Sequence, residues 1–182
     1  NDLEVLYPAM AERCRADEEL RTRVRLATAA LQGGNQGYRA LWKCLMAISI
    51  ESLKVDFARL SVKFDLWDGE STINDRIPAL VERLSRDGMV EDSQGAKVIS
   101  VARDSYNPDL PPLILVKSDG GYTYGTTDLA TIDHRIDAFK PDKILYVVDK
   151  RQGTHFLQVF RAANRTGIAK DLELEHIGFG TV

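Results

Sequence analysis

The chain has 182 residues, of which 44% are hydrophobic, 28% charged and 8% aromatic. That composition excludes a collagen-like repeat, low-complexity disorder and a disulfide scaffold. The formal net charge of −3, from 24 basic and 27 acidic residues, makes no electrostatic case for non-specific nucleic-acid binding. The two cysteines, Cys14 and Cys44, are too few for a structural zinc site and fit reduced thiols. There is no long apolar run and no charged-then-apolar leader pattern, so the expectation is a cytoplasmic chain without a membrane span.

The first third reads as helical. Leu20, Val24, Ala27 and Leu31 recur at helical spacing, with Asp17 as the expected N-cap. Gly33-Gly34-Asn35 is a stop and a turn. A second periodic stretch runs over residues 36–59, with Leu41, Leu45, Ile48 and Phe57 among its apolar positions. These residues predict a helical pair or small bundle over 1–60. The chain starts at Asn1 inside this pattern and stops at Val182 after an apolar run, so the expectation is a piece of a longer chain.

The pattern changes at Ser61. Residues 61–67 alternate polar and apolar, which predicts a short strand. A turn at Asp68-Gly69 precedes a helix expected over 74–86, with Pro78 in its first turn. Residues 97–102 and 113–117 are strand-like, separated by a proline-rich loop over 104–112. Residues 117–124 predict a hairpin turning at Asp119-Gly120 or Gly120-Gly121. An amphipathic helix follows over 126–139, with Thr126 or Thr127 as its cap. Residues 144–149 form an apolar run that fits a strand buried on both faces. Thr154 is placed to cap the next helix, and residues 177–182 are a last strand. Strand, helix, strand, helix, strand predicts an α/β fold with an open, mostly parallel, Rossmann-like sheet over 61–182, preceded by a helical segment over 1–60. Ligands in such sheets sit beyond the carboxyl ends of the strands.

Four clusters carry polar chemistry. Glu70 follows a strand candidate, where a turn and a helix N-terminal carboxylate are also ordinary. Tyr124 and Asp128 are four apart; with a helix starting near Thr126 both can point to the same end of it, a carboxylate beside a phenol, as a cation with a flat face is held. An ordinary N-cap with Asp128 complementing the helix dipole looks the same. Gln152 and His155 follow the most apolar strand; a surface loop and a capping histidine look the same. Ile177-Gly178-Phe179 lies in the last strand, where glycine permits close approach by another group. Walker, Gly-x-Gly-x-x-Gly, Gly-x-Ser-x-Gly and paired-histidine metal motifs do not occur in the chain.

Three stretches resemble arginyl-tRNA synthetases of class I: KSDGGYTYGTTDLAT, DKILYVVDKRQGTHFLQVFRAANRTGI and EHIGFGTV. FDLWDGES is similar to the segment between the halves of the family's catalytic fold, and the helical first third to a bacterial-type insertion there. The resemblance implies an arginine pocket built from Glu70, Tyr124, Asp128 and Gln152. It sets His155, Ile177, Gly178 and Phe179 nearest ATP, and names no catalytic acid, base or nucleophile. A guanidinium is planar, permanently charged and carries five donors, so carboxylates and an amide oxygen suit it. The implied substrates and partners are L-arginine, ATP with its Mg2+, and arginine tRNA, without a dedicated metal site. Such an enzyme also needs a His-Ile-Gly-His-type signature, expected before Asn1, and a Lys-Met-Ser-Lys-type loop, expected after Val182. Neither is in this sequence. The expectation is therefore that the isolated piece is inactive. The alternative is a non-catalytic α/β module that binds a guanidinium ligand or a nucleotide.

Overall fold

A computed structural model describes residues 2–102 and 110–180. The chain divides into two compact units, Asn1–Leu66 and Trp67–Val182.

The first unit holds three helices, α1 (Asp2–Ala16), α2 (Glu18–Gln32) and α3 (Gln36–Arg59). Asp17 caps α2 by accepting from the Leu20 N–H at 3.0 Å, as expected. Asn35 caps α3 by accepting from Tyr38 N–H at 3.1 Å. Arg21 reaches back from α2 to the last carbonyls of α1, donating to Cys14 O at 3.0 Å and Arg15 O at 3.1 Å. Such bonds satisfy groups a helix end leaves unpaired.

The strand expected over 61–67 does not form. Ser61 takes φ +58, and the Val62 N–H bonds back to Phe57 O at 2.9 Å while Ser61 N–H bonds to Ala58 O at 3.0 Å. This is a Schellman stop on α3, with serine where glycine is usual. Phe64 then packs edge-on against Phe57, ring centroids 4.7 Å apart. Of the alternating apolar residues, Phe64 is thus turned back onto the end of α3, while Val62 and Leu66 stay exposed.

In the second unit the expected helix over 74–86 begins as a 3₁₀ segment, Glu70–Arg76, and continues as α4 (Ile77–Arg86), with Pro78 in its first turn. A three-stranded antiparallel sheet follows: β1 (Glu91–Ser93), β2 (Ala96–Ile99) and β3 (Leu113–Val116). Residues 103–109 of the proline-rich loop lie outside the described residues. The turn at 117–121 is present, Lys117 N–H donating to Gly121 O at 2.8 Å. The far arm of the hairpin is a single bridge, Val116 to Tyr122, because α5 (Tyr124–Phe139) starts almost at once.

β4 (Lys143–Asp149) and β5 (Glu173–Phe179) pair in parallel, from Lys143 opposite Glu173 to Asp149 opposite Phe179, joined through α6 (Gly153–Arg165). The α/β class is as expected. Among the described residues its parallel part is this pair alone, and the other three strands are antiparallel. The cap of α6 is Gln152, not Thr154.

One buried cluster joins the 3₁₀ segment, α4, β2, β3, α5, β4 and α6 through Ile73, Leu80, Ile99, Leu115, Leu129 and Val159 among others. The apolar run of β4 predicts cover on both faces, yet its burial alternates. Ile144 and Tyr146 face the core, while Leu145 and Val147 are 49% and 62% exposed. A short apolar run has the same composition whether one face is covered or two, so its periodicity cannot separate them.

Candidate functional site

The site grows from the start of α5. Thr123, rather than Thr126 or Thr127, is the N-cap, its side chain accepting from the Thr126 N–H. Thr123 and Thr126 then both donate hydroxyl protons to β3, to Ile114 O and Leu115 O. Thr126 is fully buried. Gly125 is what allows the approach: a Cβ there would lie 2.5 Å from Leu113 Cδ1. With Thr123, Gly125 and Thr126 turned to the sheet, Tyr124 is left 73% exposed and Asp128 half-buried one turn on.

The start of α6 is set by the end of β4. Asp149 accepts from the Arg151 N–H at 2.8 Å and from its guanidinium at 2.7 and 3.0 Å. Those bonds to Arg151, the side-chain ones foremost, hold the Asp149 carboxyl below the usual range. Gln152 follows, exposed, and its side chain makes no cap hydrogen bond.

The two helix starts meet at His155, which donates from Nε2 to Asp128 Oδ2 at 2.6 Å. Both side chains are about a third exposed, at 31% and 29%. The His155 ring stands edge-on to Phe156, centroids 5.1 Å apart. Phe156 packs against Tyr146 at 4.8 Å and His176 at 5.4 Å. Beneath this layer, the Tyr146 hydroxyl is buried without a hydrogen-bond partner among the described residues, and the Arg135 guanidinium lies 5.4 Å from the ring centroid. Burial first, and the Asp128 charge as well, raise the Tyr146 phenol above its ordinary pKa, with Arg135 opposing them.

The candidate residues are therefore partly assembled. Tyr124 and Asp128 share a face of α5, Gln152 and His155 open α6, and one hydrogen bond ties the two sets. Glu70 starts the 3₁₀ segment and is exposed. Among the described residues no hydrogen bond or ion pair joins it to Tyr124, Asp128 or Gln152. Ile177 and Phe179 lie on the outer face of β5, 41% and 51% exposed. At Gly178, a Cβ would come within 3.0 Å of Lys150 Cα and Cβ. The close approach expected at that glycine is thus made by the chain's own Lys150. The His155 to Asp128 contact has no signal in the sequence: the pair is 27 residues apart, and no spacing rule links them. Among the described residues no group of three or more His, Cys, Asp or Glu side chains is gathered as a metal would need. No helix there is long and apolar enough to cross a membrane.

Comparison with known proteins agrees with the resemblance in the motifs. An arginine–tRNA ligase from Hyphomonas neptunium is 48% identical over 184 residues, covering 100% of this chain and 31% of the relative. One from Maricaulis maris is 50% identical over 181 residues, with the same coverage. The chain thus spans about a third of the length of the curated relatives it matches, at 31%. Among solved structures, arginyl-tRNA synthetase from Plasmodium falciparum superposes with a TM-score of 0.77 at 25% identity, over 90% of this chain and 28% of that one. A putative arginyl-tRNA synthetase from Campylobacter jejuni shares the fold, with a TM-score of 0.64 at 16% identity, over 86% of this chain and 35% of that one. The family described as tRNA synthetases class I (R), catalytic domain, matches residues 1–182, and the chain belongs to that family.

Proposed function

We propose that this chain is the second half of the catalytic domain of an arginine–tRNA ligase, residues 61–182, carrying a helical insertion over 1–60. The whole enzyme activates L-arginine with ATP and transfers it to arginine tRNA. The observation that carries this reading is the match of the entire chain, at 48–50% identity, to arginine–tRNA ligases. The division into units at Leu66 and Trp67 supports the two-part reading.

The chain's share of the work is selection. Asp128 offers the carboxylate for the guanidinium, its Oδ2 already taken by His155. Tyr124 supplies an exposed ring or hydroxyl one turn away, and Gln152 an amide with no role in its helix cap. Glu70 is the outlying member and belongs to the site only if ligand draws it in. Activation itself then rests on positioning the arginine carboxylate against the α-phosphate and on charge stabilisation, not on an acid or base from this chain. His155 and the strand at Ile177, Gly178 and Phe179 are the part assigned nearest ATP. Mg2+ enters as part of the ATP substrate, and no step performed by these residues runs through it.

The test is arginine-dependent ATP–pyrophosphate exchange. The intact ligase containing this chain is expected to show it, and the isolated chain, without the two signature motifs, is expected to show none. Exchange with another amino acid in place of arginine, or exchange by the isolated chain, contradicts the reading.

A further inference from the structure

We propose that His155 is a positioning residue for arginine: it holds one oxygen of the Asp128 carboxylate and leaves the other for the guanidinium. The inference rests on the arginine reading above, and it moves His155 from the nucleotide to the amino acid.

Three features of the structure support it. The first is the bond itself, 2.6 Å from His155 Nε2 to Asp128 Oδ2, in the range of a charge-assisted hydrogen bond. Among the described residues the Asp128 side chain has no other hydrogen-bond partner. Without His155 that side chain is free to turn among its rotamers.

The second is that both ends of the bond are anchored. The Asp128 helix is tied to β3 by Thr123 and Thr126. The imidazole is braced by Phe156, which is 4% exposed and fixed among Tyr146, Phe160 and His176. Orientation therefore passes from the core to His155 and from His155 to the carboxylate.

The third is a contrast between two carboxylates near the same strand ends. Asp149 is gripped by the Arg151 guanidinium through both oxygens. Its charge is matched and its acceptors are occupied. Asp128 is gripped through Oδ2 alone. Among the described residues that leaves Oδ1 without a partner and the carboxylate held in one direction, open to a charge-assisted hydrogen bond from a guanidinium N–H.

The test is a substitution cycle on the intact ligase, read as KM for arginine, KM for ATP and kcat in pyrophosphate exchange. His155→Ala is expected to raise the arginine KM roughly tenfold, the scale of one hydrogen bond to a charged group. The ATP KM is expected to stay within about twofold. His155→Gln, whose amide reaches the place of Nε2, is expected to restore most of the loss. In an Asp128→Asn background, His155→Ala is expected to add less than about twofold. If the alanine variant does not fold, His155→Leu keeps the bulk without the donor and takes its place in the cycle. A rise in the ATP KM alone, equal rises in both, or additive effects with Asp128→Asn overturn the proposal. So does lost thermal stability with both KM values unchanged, which is what a mere helix-to-helix tie predicts. An unaltered ligase without arginine-dependent exchange overturns the arginine reading itself, and the positioning role with it.

Discussion

The two units of the chain are built on different physics. In Trp67–Val182 a continuous cluster of buried side chains ties helices to strands, with Ile99, Leu115, Leu129, Ile132 and Val159 at 0% exposure. In Asn1–Leu66 no described residue is buried, and Leu41, Ile48 and Val55 of α3 are 57%, 51% and 54% exposed. The first unit is held by caps and by short ion pairs such as Glu18–Arg21 at 3.0 Å and Glu51–Lys54 at 2.8 Å. Such pairs contribute about 0.2–0.5 kcal/mol each. Pro8 inside α1 removes one intrahelical bond as well. Helical periodicity and capping are thus enough to define helices, and not enough to define a core. The candidate site lies wholly in the unit whose backbone is fixed by packing, where side chains can be held in one direction toward a ligand.

That contrast is open to direct challenge. The largest effect is expected in the packed unit. Leu129→Ala should destabilise it by about 2–5 kcal/mol, the cost of a buried cavity. Leu41→Ala should change stability by less than about 0.5 kcal/mol. Denaturant midpoints of the two variants check the pair, and equal losses would mean that the first unit has a core of its own.

An intermediate effect is expected at Gly178. The methyl group of an alanine there would lie 3.0 Å from Lys150 Cα, so the Lys150 backbone must give way. Overpacking of this kind costs about 1–3 kcal/mol. Thermal unfolding of Gly178→Ala measures it. No loss would show that the turn after β4 yields freely, and would weaken the claim that the start of α6 is fixed.

The smallest effect near neutral pH is expected at Tyr146. Among the described residues its buried hydroxyl meets no partner at hydrogen-bond geometry, so Tyr146→Phe should change stability by less than about 1 kcal/mol at pH 7. The pH dependence has a definite sign. The folded phenol titrates above its ordinary value, through burial first. Stability from the neutral form is therefore complete below about pH 10 and is lost as pH rises through the folded value. Tyr146→Phe should remove that alkaline loss. Urea midpoints at neutral and alkaline pH test both halves, and a large loss at pH 7 would show that the hydroxyl has a partner.

Much of the fold is legible in the residues. Asp17 announces α2 as its cap. The apolar run at 144–149, the helix and the strand expected over 177–182 give the parallel pair β4 and β5, although β5 begins four residues earlier, at Glu173, and residues 181–182 lie outside the described residues. What escapes has a physical reason in each place. The stop at Ser61 uses a left-handed serine, φ +58, where glycine or asparagine is the usual choice. β1 is Glu91-Asp92-Ser93 and wholly exposed, so it has no hydrophobic pattern. Its signal is the turn Gln94-Gly95, with φ +50 and +79, a two-residue hairpin link. The start of α5 is ambiguous in the sequence because Thr123, Thr126 and Thr127 have the same capping chemistry. The contacts of Thr123 and Thr126 with β3 decide between them. Of the site, the sequence brings Tyr124 and Asp128 to one helix end; that they share a face follows only because the helix starts at Tyr124, two residues before the expected 126. The pairing of Asp128 with His155 comes only from packing α5 on α6, which no local pattern encodes.

The most direct test of the central claim, that Asp128 reads the guanidinium, is calorimetric titration of the intact ligase with arginine and citrulline. Asp128→Asn keeps the shape and removes the charge. Where bound arginine excludes water from the pair, it is expected to weaken arginine by about 2–5 kcal/mol, as for truncation of a desolvated charge pair. It should narrow a preference over citrulline that unpaired polar groups can raise to roughly 10⁴-fold. Unchanged arginine affinity, or an unchanged preference over citrulline, would contradict the account and remove Asp128 from the site.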